Sequence, residues 1–192
     1  MKTSDDLLKI KAAMLYVLST CGKPLDYIKF YKLLYFAQQL HLVKYGRGIF
    51  RDSFYARERG PVPGLIYNIV KKVESGSPLN NDLSGIAAAI KVEKTGSHKY
   101  IVNVEDPDTD ELSASDIECL DYSIEHYSKL SSNRLSALTH EDRAWQEAKE
   151  RSLVDPEQNK LSLLEIARSG GASEAMLNYI KYRIEMDMML PR

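Results

Sequence analysis

Residues 24–45 leave a folding chain few choices. Tyr27, Ile28, Phe30, Tyr31, Leu33, Leu34, Tyr35, Phe36, Ala37 and Leu40 would fall on nearly every side of a helix, with no wide polar face between them. A helix of that kind is buried on several sides, so other elements have to pack around it. Pro24 suits its first turn and Gly46 its end. The aromatics between Tyr27 and Phe36 fit core packing better than a cofactor or base-stacking surface, because aromatic side chains at helical spacing bury the largest areas. The expected fold is mainly α, a single-domain helical bundle around this central helix.

The flanking segments supply partners for it. Leu7, Leu8, Ala12, Leu15 and Leu18 form one stripe of a helix over residues 5–20. A second apolar pattern restarts at Leu65, Ile66, Ile69 and Val70 and ends near Val73, before Ser75-Gly76-Ser77-Pro78. Residues 88–94 and 99–104 alternate apolar with polar around Thr95-Gly96-Ser97-His98, which predicts one small β-hairpin at about 88–104. Ser113 with Asp116, and Ser162 with Glu165, have capping-box spacing and open further helices. Another helix carries Trp145 and a last one runs from Ser173 to Met188, while Asp155-Pro156 to Lys160 is the best linker candidate.

With 26 basic and 27 acidic side chains, the net charge of −1 gives no global field that would draw the chain to nucleic acid. The charges are unevenly placed. Lys9, Lys11, Lys23, Lys29, Lys32, Lys44 and Arg47 make the first fifty residues basic, whereas residues 105–125 hold nine acids and no Lys or Arg. The acidic run reads either as solvated loop and helix start or as a face for a basic partner. Cys21 and Cys119 have no paired spacing and read as reduced thiols. Leu18-Ser19-Thr20-Cys21 mimics a lipoprotein cleavage box, but Asp5 and Asp6 contradict a positively charged leader. The chain is therefore expected to be cytoplasmic, with no membrane partner.

Between two helical patterns lies Arg57-Glu58-Arg59-Gly60-Pro61-Val62-Pro63-Gly64, followed by Tyr67. Pro61 and Pro63 fix their own φ and push Gly60 and Val62 toward extended conformations. The knot is stiff and non-helical. It reads as a structural corner, or as a presented surface with Arg57 and Arg59 beside a helix start.

Signals for catalysis are sparse. There is no phosphate-binding glycine pattern, nucleophile elbow or Cys-rich metal spacing, and neither a metal nor a cofactor is expected. His140-Glu141-Asp142 places an imidazole beside two carboxylates, which keeps a hydrolase centred on His140 as a minor alternative. The plainer reading is a helix start, with Thr139 as cap and His140 bonding across to a neighbouring element.

Lys32-Leu33-Leu34-Tyr35-Phe36-Ala37-Gln38, Gly60-Pro61-Val62 with Tyr67, and Leu135, Leu138-Thr139-His140, Trp145 and Ala148 occur in an order that resembles the Panacea domain. This is the SocA-like antitoxin domain, also called phage-associated GepA-like. The resemblance is clearest over residues 7–150, with residues 151–192 expected to complete the same domain, 1–192. It implies an antitoxin of a bacterial or phage toxin–antitoxin pair that is not an enzyme. Such a protein neutralises a cognate protein toxin by direct binding, and some members are adaptors for an ATP-dependent protease such as ClpXP. A DNA- or RNA-binding regulator is the alternative. The partner-binding candidates are Arg57, Arg59, Gly60, Pro61, Val62, Tyr67, His140 and Trp145, with the acidic run as a secondary patch. One departure stands out: Ala144 occupies the position before the tryptophan where the family usually has proline, which predicts a less rigid helix start.

Overall fold

The structure, a computed structural model, describes residues 2–189. The first helix, α1 (Ser4–Cys21), opens on a capping box between Thr3 and Asp6 and closes on Gly22 at φ 61°. The central helix, α2, begins at Tyr27 rather than at Pro24. Asp26 caps it by accepting from the Lys29 N–H at 3.1 Å, and Leu25–Asp26 form a two-residue strand, β1. It ends at Tyr45, where Gly46 takes φ 65°. Phe30, Leu33, Leu34, Tyr35, Ala37 and Leu42 of α2 are fully buried.

The chain continues through β2 (Phe54–Arg57), β3 (Gly60–Pro63), α3 (Gly64–Ser75), α4 (Asn81–Ala88), β4 (Ile90–Thr95) and β5 (His98–Asn103). Then come α5 (Ala114–Tyr127), α6 (Ser132–His140), α7 (Arg143–Val154), β6 (Lys160–Leu161), α8 (Leu163–Ser169) and α9 (Glu174–Met189). Helices α1, α5, α6 and α8, together with β3, pack directly on α2. Both predicted capping boxes form, Ser113 with Asp116 and Ser162 with Glu165.

The molecule is mainly helical, but the expectation of a single hairpin needs correcting. The β4–β5 hairpin forms, and β1 joins it through Leu25↔Ile101 and Asp26↔Tyr100 in the order β1-β5-β4. A second antiparallel sheet, ordered β3-β2-β6, contains the Pro/Gly knot as a strand. The proposed linker ends in the third strand of that sheet, where Phe54↔Leu161 and Tyr55↔Lys160 pair.

Prolines survive in β3 because of register. The Ala56 N–H donates to Asn159 on the β6 side at 2.7 Å, so Ala56 and Pro61 form a pair with no mutual hydrogen bond. The missing Pro61 N–H therefore points away from β2, on the free edge of the sheet, where proline removes nothing from the ladder. Its carbonyl points the same way and needs a donor from elsewhere.

The two charge runs pair in part. Asp116 is fully buried and pairs with Lys9 at 2.7 Å and Arg47 at 3.3 Å, while His41 Nε2 lies 3.1 Å from its Oδ1. Burial pushes the Asp116 carboxyl up, but hydrogen bonds from His41, Lys9 and Ser113 outweigh it and hold the group well below the usual carboxylate range. Lys11 pairs with Glu105, Lys44 with Glu118, and the Tyr16 hydroxyl donates to Asp121 at 2.8 Å. Glu105, Asp116, Glu118 and Asp121 thus face the chain's own basic segment, while Asp106, Asp108, Asp110 and Glu125 stay exposed.

Candidate functional site

The two motifs singled out in the sequence meet in space. The tip of the β2–β3 hairpin, Arg57 to Gly60, lies against α6 and α7, and three successive carbonyls accept hydrogen bonds from side chains there. Trp145 Nε1 donates to Arg57 O at 2.9 Å, His140 Nε2 to Glu58 O at 3.0 Å, and Ser136 Oγ to Arg59 O at 3.1 Å. Lys32 of α2 adds a fourth bond from below, from Nζ to Pro61 O at 2.9 Å. This supplies the donor that the edge carbonyl of Pro61 requires. Neither Glu58 nor Arg59 has positive φ, so the mirror-image hairpin turns are excluded; Gly60 carries the positive φ, 101°.

Each donor is itself held. Asp142 caps α7 by accepting from the backbone of Ala144 at 2.9 Å and Trp145 at 3.4 Å. It also accepts from Tyr35 at 2.9 Å, Gln39 at 2.8 Å and Ser169 at 2.7 Å. The start of α7, and Trp145 with it, is fixed to α2 and α8. The Ala144 N–H bond is one that proline could not make, so Ala144 does not loosen this helix start as its departure from the family pattern predicts. Asp142, not Thr139, is the cap; the Thr139 hydroxyl instead bonds back to Leu135 O and Ser136 O at 3.2 and 3.0 Å. The His140 ring stacks on Trp145 with centroids 4.3 Å apart and planes 14° apart. A carbonyl only accepts, so His140 Nε2 carries the hydrogen that meets Glu58.

Lys32 was legible in the sequence as part of a motif but not as part of this site. Its side chain is 1% exposed, and burial pushes its ammonium down to about 7, opposed by the charge of Asp142. Gly60 completes the fit: a Cβ there would lie 2.3 Å from Thr139 Oγ1 and 2.6 Å from Lys32 Nζ. Ser136 was missed as well, since a serine within a short helix carries no periodic signal.

The sequence-predicted residues therefore divide by role. Gly60, Pro61, His140 and Trp145 build the clamp, and Val62 is buried beside it. The side chains of Arg57, Glu58 and Arg59 stay exposed at the tip. The Arg57 guanidinium rests over the half-buried Tyr67 ring, 5.5 Å from its centroid, and Tyr67 packs on Tyr31 with centroids 6.1 Å apart. The arrangement is a ledge that presents charged side chains while its carbonyls are held from behind. Among the described residues, no helix is long and apolar enough to cross a membrane.

The family model described as antitoxin SocA-like, Panacea domain, matches residues 30–146. That span contains Lys32, the hairpin, His140 and Trp145. No curated protein and no solved structure matches the chain.

Proposed function

The chain belongs to the SocA-like antitoxin family defined by the Panacea domain, and from that premise we propose that it neutralises a protein toxin by direct binding and not by catalysis. The observation that supports this reading most is the engaged ledge. The Arg57, Glu58 and Arg59 carbonyls are all bonded internally while their side chains are exposed. Such a surface is already ordered before a partner arrives, which lowers the cost of association. Arg, Tyr and Trp are also the residue types that most often anchor interfaces. Delivery of the bound toxin to an ATP-dependent protease is a second step compatible with the same surface.

Co-expression with the product of the adjacent reading frame tests the proposal. Growth should recover with this protein present and fail to recover when Arg57 and Arg59 are both replaced by Glu. Equal killing with and without the wild-type protein, for each neighbouring candidate toxin, refutes it. Toxin half-life measured with and without the protease separates occlusion from delivery.

A further inference from the structure

Beside the ledge runs a groove of about 530 Å3, walled by the β2–β3 hairpin on one side and by the end of α7 on the other. Its apolar surface comes from Ala56, Val62, Tyr67 and Pro156, and its cations are Arg57 and Lys149. On the same helix as Lys149, Arg143 pairs with Glu147 and Arg151 with Glu165. Arg57 and Lys149 have no carboxylate partner among the described residues. Leu153 and Val154, which end α7 between the groove residues Ser152 and Pro156, are 78% and 91% exposed. One wall is rigid, since Trp145 fixes the Arg57 carbonyl and Tyr67 supports its guanidinium.

We infer that this groove receives an acidic segment of the partner protein, with carboxylates on Arg57 and Lys149 and an apolar side chain between them against Tyr67, Val62 and Pro156. The inference rests on the toxin-binding reading and adds the chemistry of the contact. Guanidinium and ammonium groups with no internal partner match carboxylates, and the apolar lining between them matches an apolar side chain of the same segment. A nucleic-acid backbone fits less well, because a continuous phosphate chain would leave the apolar lining of Ala56, Val62 and Pro156 unmatched, whereas a peptide can place an apolar side chain there and keep its carboxylates at Arg57 and Lys149, clear of Glu58.

Four fluorescein-labelled probes test this by anisotropy with the full chain. Three are peptides with one Leu-Trp-Leu core flanked by Glu, by Gln or by Lys; the fourth is a single-stranded oligonucleotide of similar length. The Glu peptide should bind at least about tenfold more tightly than the Lys peptide, and the preference should weaken with added salt. The double substitution Arg57→Glu and Lys149→Glu should reverse it. Arg57 is exposed and Lys149 partly so, and an unchanged melting temperature verifies that the variant folds. Equal affinity for the Glu and Lys peptides, tighter binding of the oligonucleotide, no peptide binding below about 1 mM, or an unchanged preference in the double variant overturns the inference. Growth rescue by the wild type alongside such a result leaves toxin neutralisation standing and removes only the acidic groove. A Glu preference without growth rescue does the opposite.

Discussion

Replacing Gly60 by Ala tests the clamp at its tightest point. Two costs combine. The backbone sits at φ 101°, a conformation that residues with a Cβ hold only under strain of about 1–3 kcal/mol. The added methyl would also lie 2.3 Å from Thr139 Oγ1 and 2.6 Å from Lys32 Nζ. Neither neighbour can yield freely. Thr139 is fully buried and bonded to two carbonyls of its own helix, and Lys32 must stay to satisfy Pro61 O. Overpacking of this kind costs about 1–3 kcal/mol more. The expected loss is about 2–6 kcal/mol, a large share of the roughly 5–15 kcal/mol that holds a domain folded. Gly76→Ala is the matched control: it too has positive φ, 68°, but no atom lies within 4 Å of where its methyl would stand, so it carries only the backbone cost. Urea unfolding followed by tryptophan fluorescence is the assay. The chain has one tryptophan, and it is the residue that holds the hairpin. Gly60→Ala should lose about 1–3 kcal/mol more than Gly76→Ala. Equal losses, or a Gly60→Ala protein within about 1 kcal/mol of wild type, would refute the claim that the hairpin tip is packed against Thr139 and Lys32.

Three further outcomes follow from buried groups. Lys32 titrates near 7 in the folded chain and near 10.5 when unfolded, so the folded state binds fewer protons between those values and stability rises with pH across that window. Subtracting the pH profile of Lys32→Met from that of wild type isolates this contribution, which should climb with pH by up to about 1.4 kcal/mol per unit; a flat difference between pH 7 and 9.5 contradicts it. The Tyr31 hydroxyl is buried with no hydrogen-bond partner among the described residues, so Tyr31→Phe should leave chemical stability unchanged or raise it by up to about 1 kcal/mol; a loss above that would reveal a partner. Asp116→Asn should lose about 2–4 kcal/mol at pH 7, because it removes the buried negative charge on which the partly exposed Lys9 and Arg47 converge. The folded Asp116 carboxyl titrates below its unfolded value of 3.8, so its contribution is complete above that value and disappears as pH falls further. The wild-type advantage should accordingly shrink in acid denaturation below about pH 4.

What could be read along the chain was what neighbouring residues specify. The burial of α2, both capping boxes and the β4–β5 hairpin each rest on a pattern a few residues long. The second sheet has no such pattern: Gly60-Pro61-Val62-Pro63 does not alternate, and Lys160–Leu161, far off in sequence, is too short to show a period. The basic and acidic runs were each visible, but their mutual pairing is a property of how α1 and α2 face α5. Lys32 was the one long cation amid the fully buried face of α2, and that mismatch was the available signal that a buried acceptor lies opposite it, which the structure shows to be Pro61 O.

The same limit explains why the role of the Pro/Gly knot stayed open in the sequence. A corner and a presented surface seemed to be rivals, yet backbone and side chains of the hairpin tip take different parts. Ser136, His140 and Trp145 stand about one helical turn apart and meet carbonyls one residue apart, in reverse order, because the chain bends between α6 and α7 around the Asp142 cap. Such a match uses the carbonyls of Arg57, Glu58 and Arg59 and none of their side chains. The corner is what makes the surface: stiffness from Pro61 and Pro63, close approach at Gly60 and three helical donors hold Arg57 over Tyr67, at the mouth of the groove that Lys149 completes. A variant that spares the Arg57 side chain but loosens its carbonyl, such as Trp145→Phe, should therefore weaken toxin neutralisation while leaving every exposed charge in place. Full neutralisation by a Trp145→Phe protein whose hairpin amides exchange faster than wild type would show that the rigidity of this ledge contributes nothing to binding.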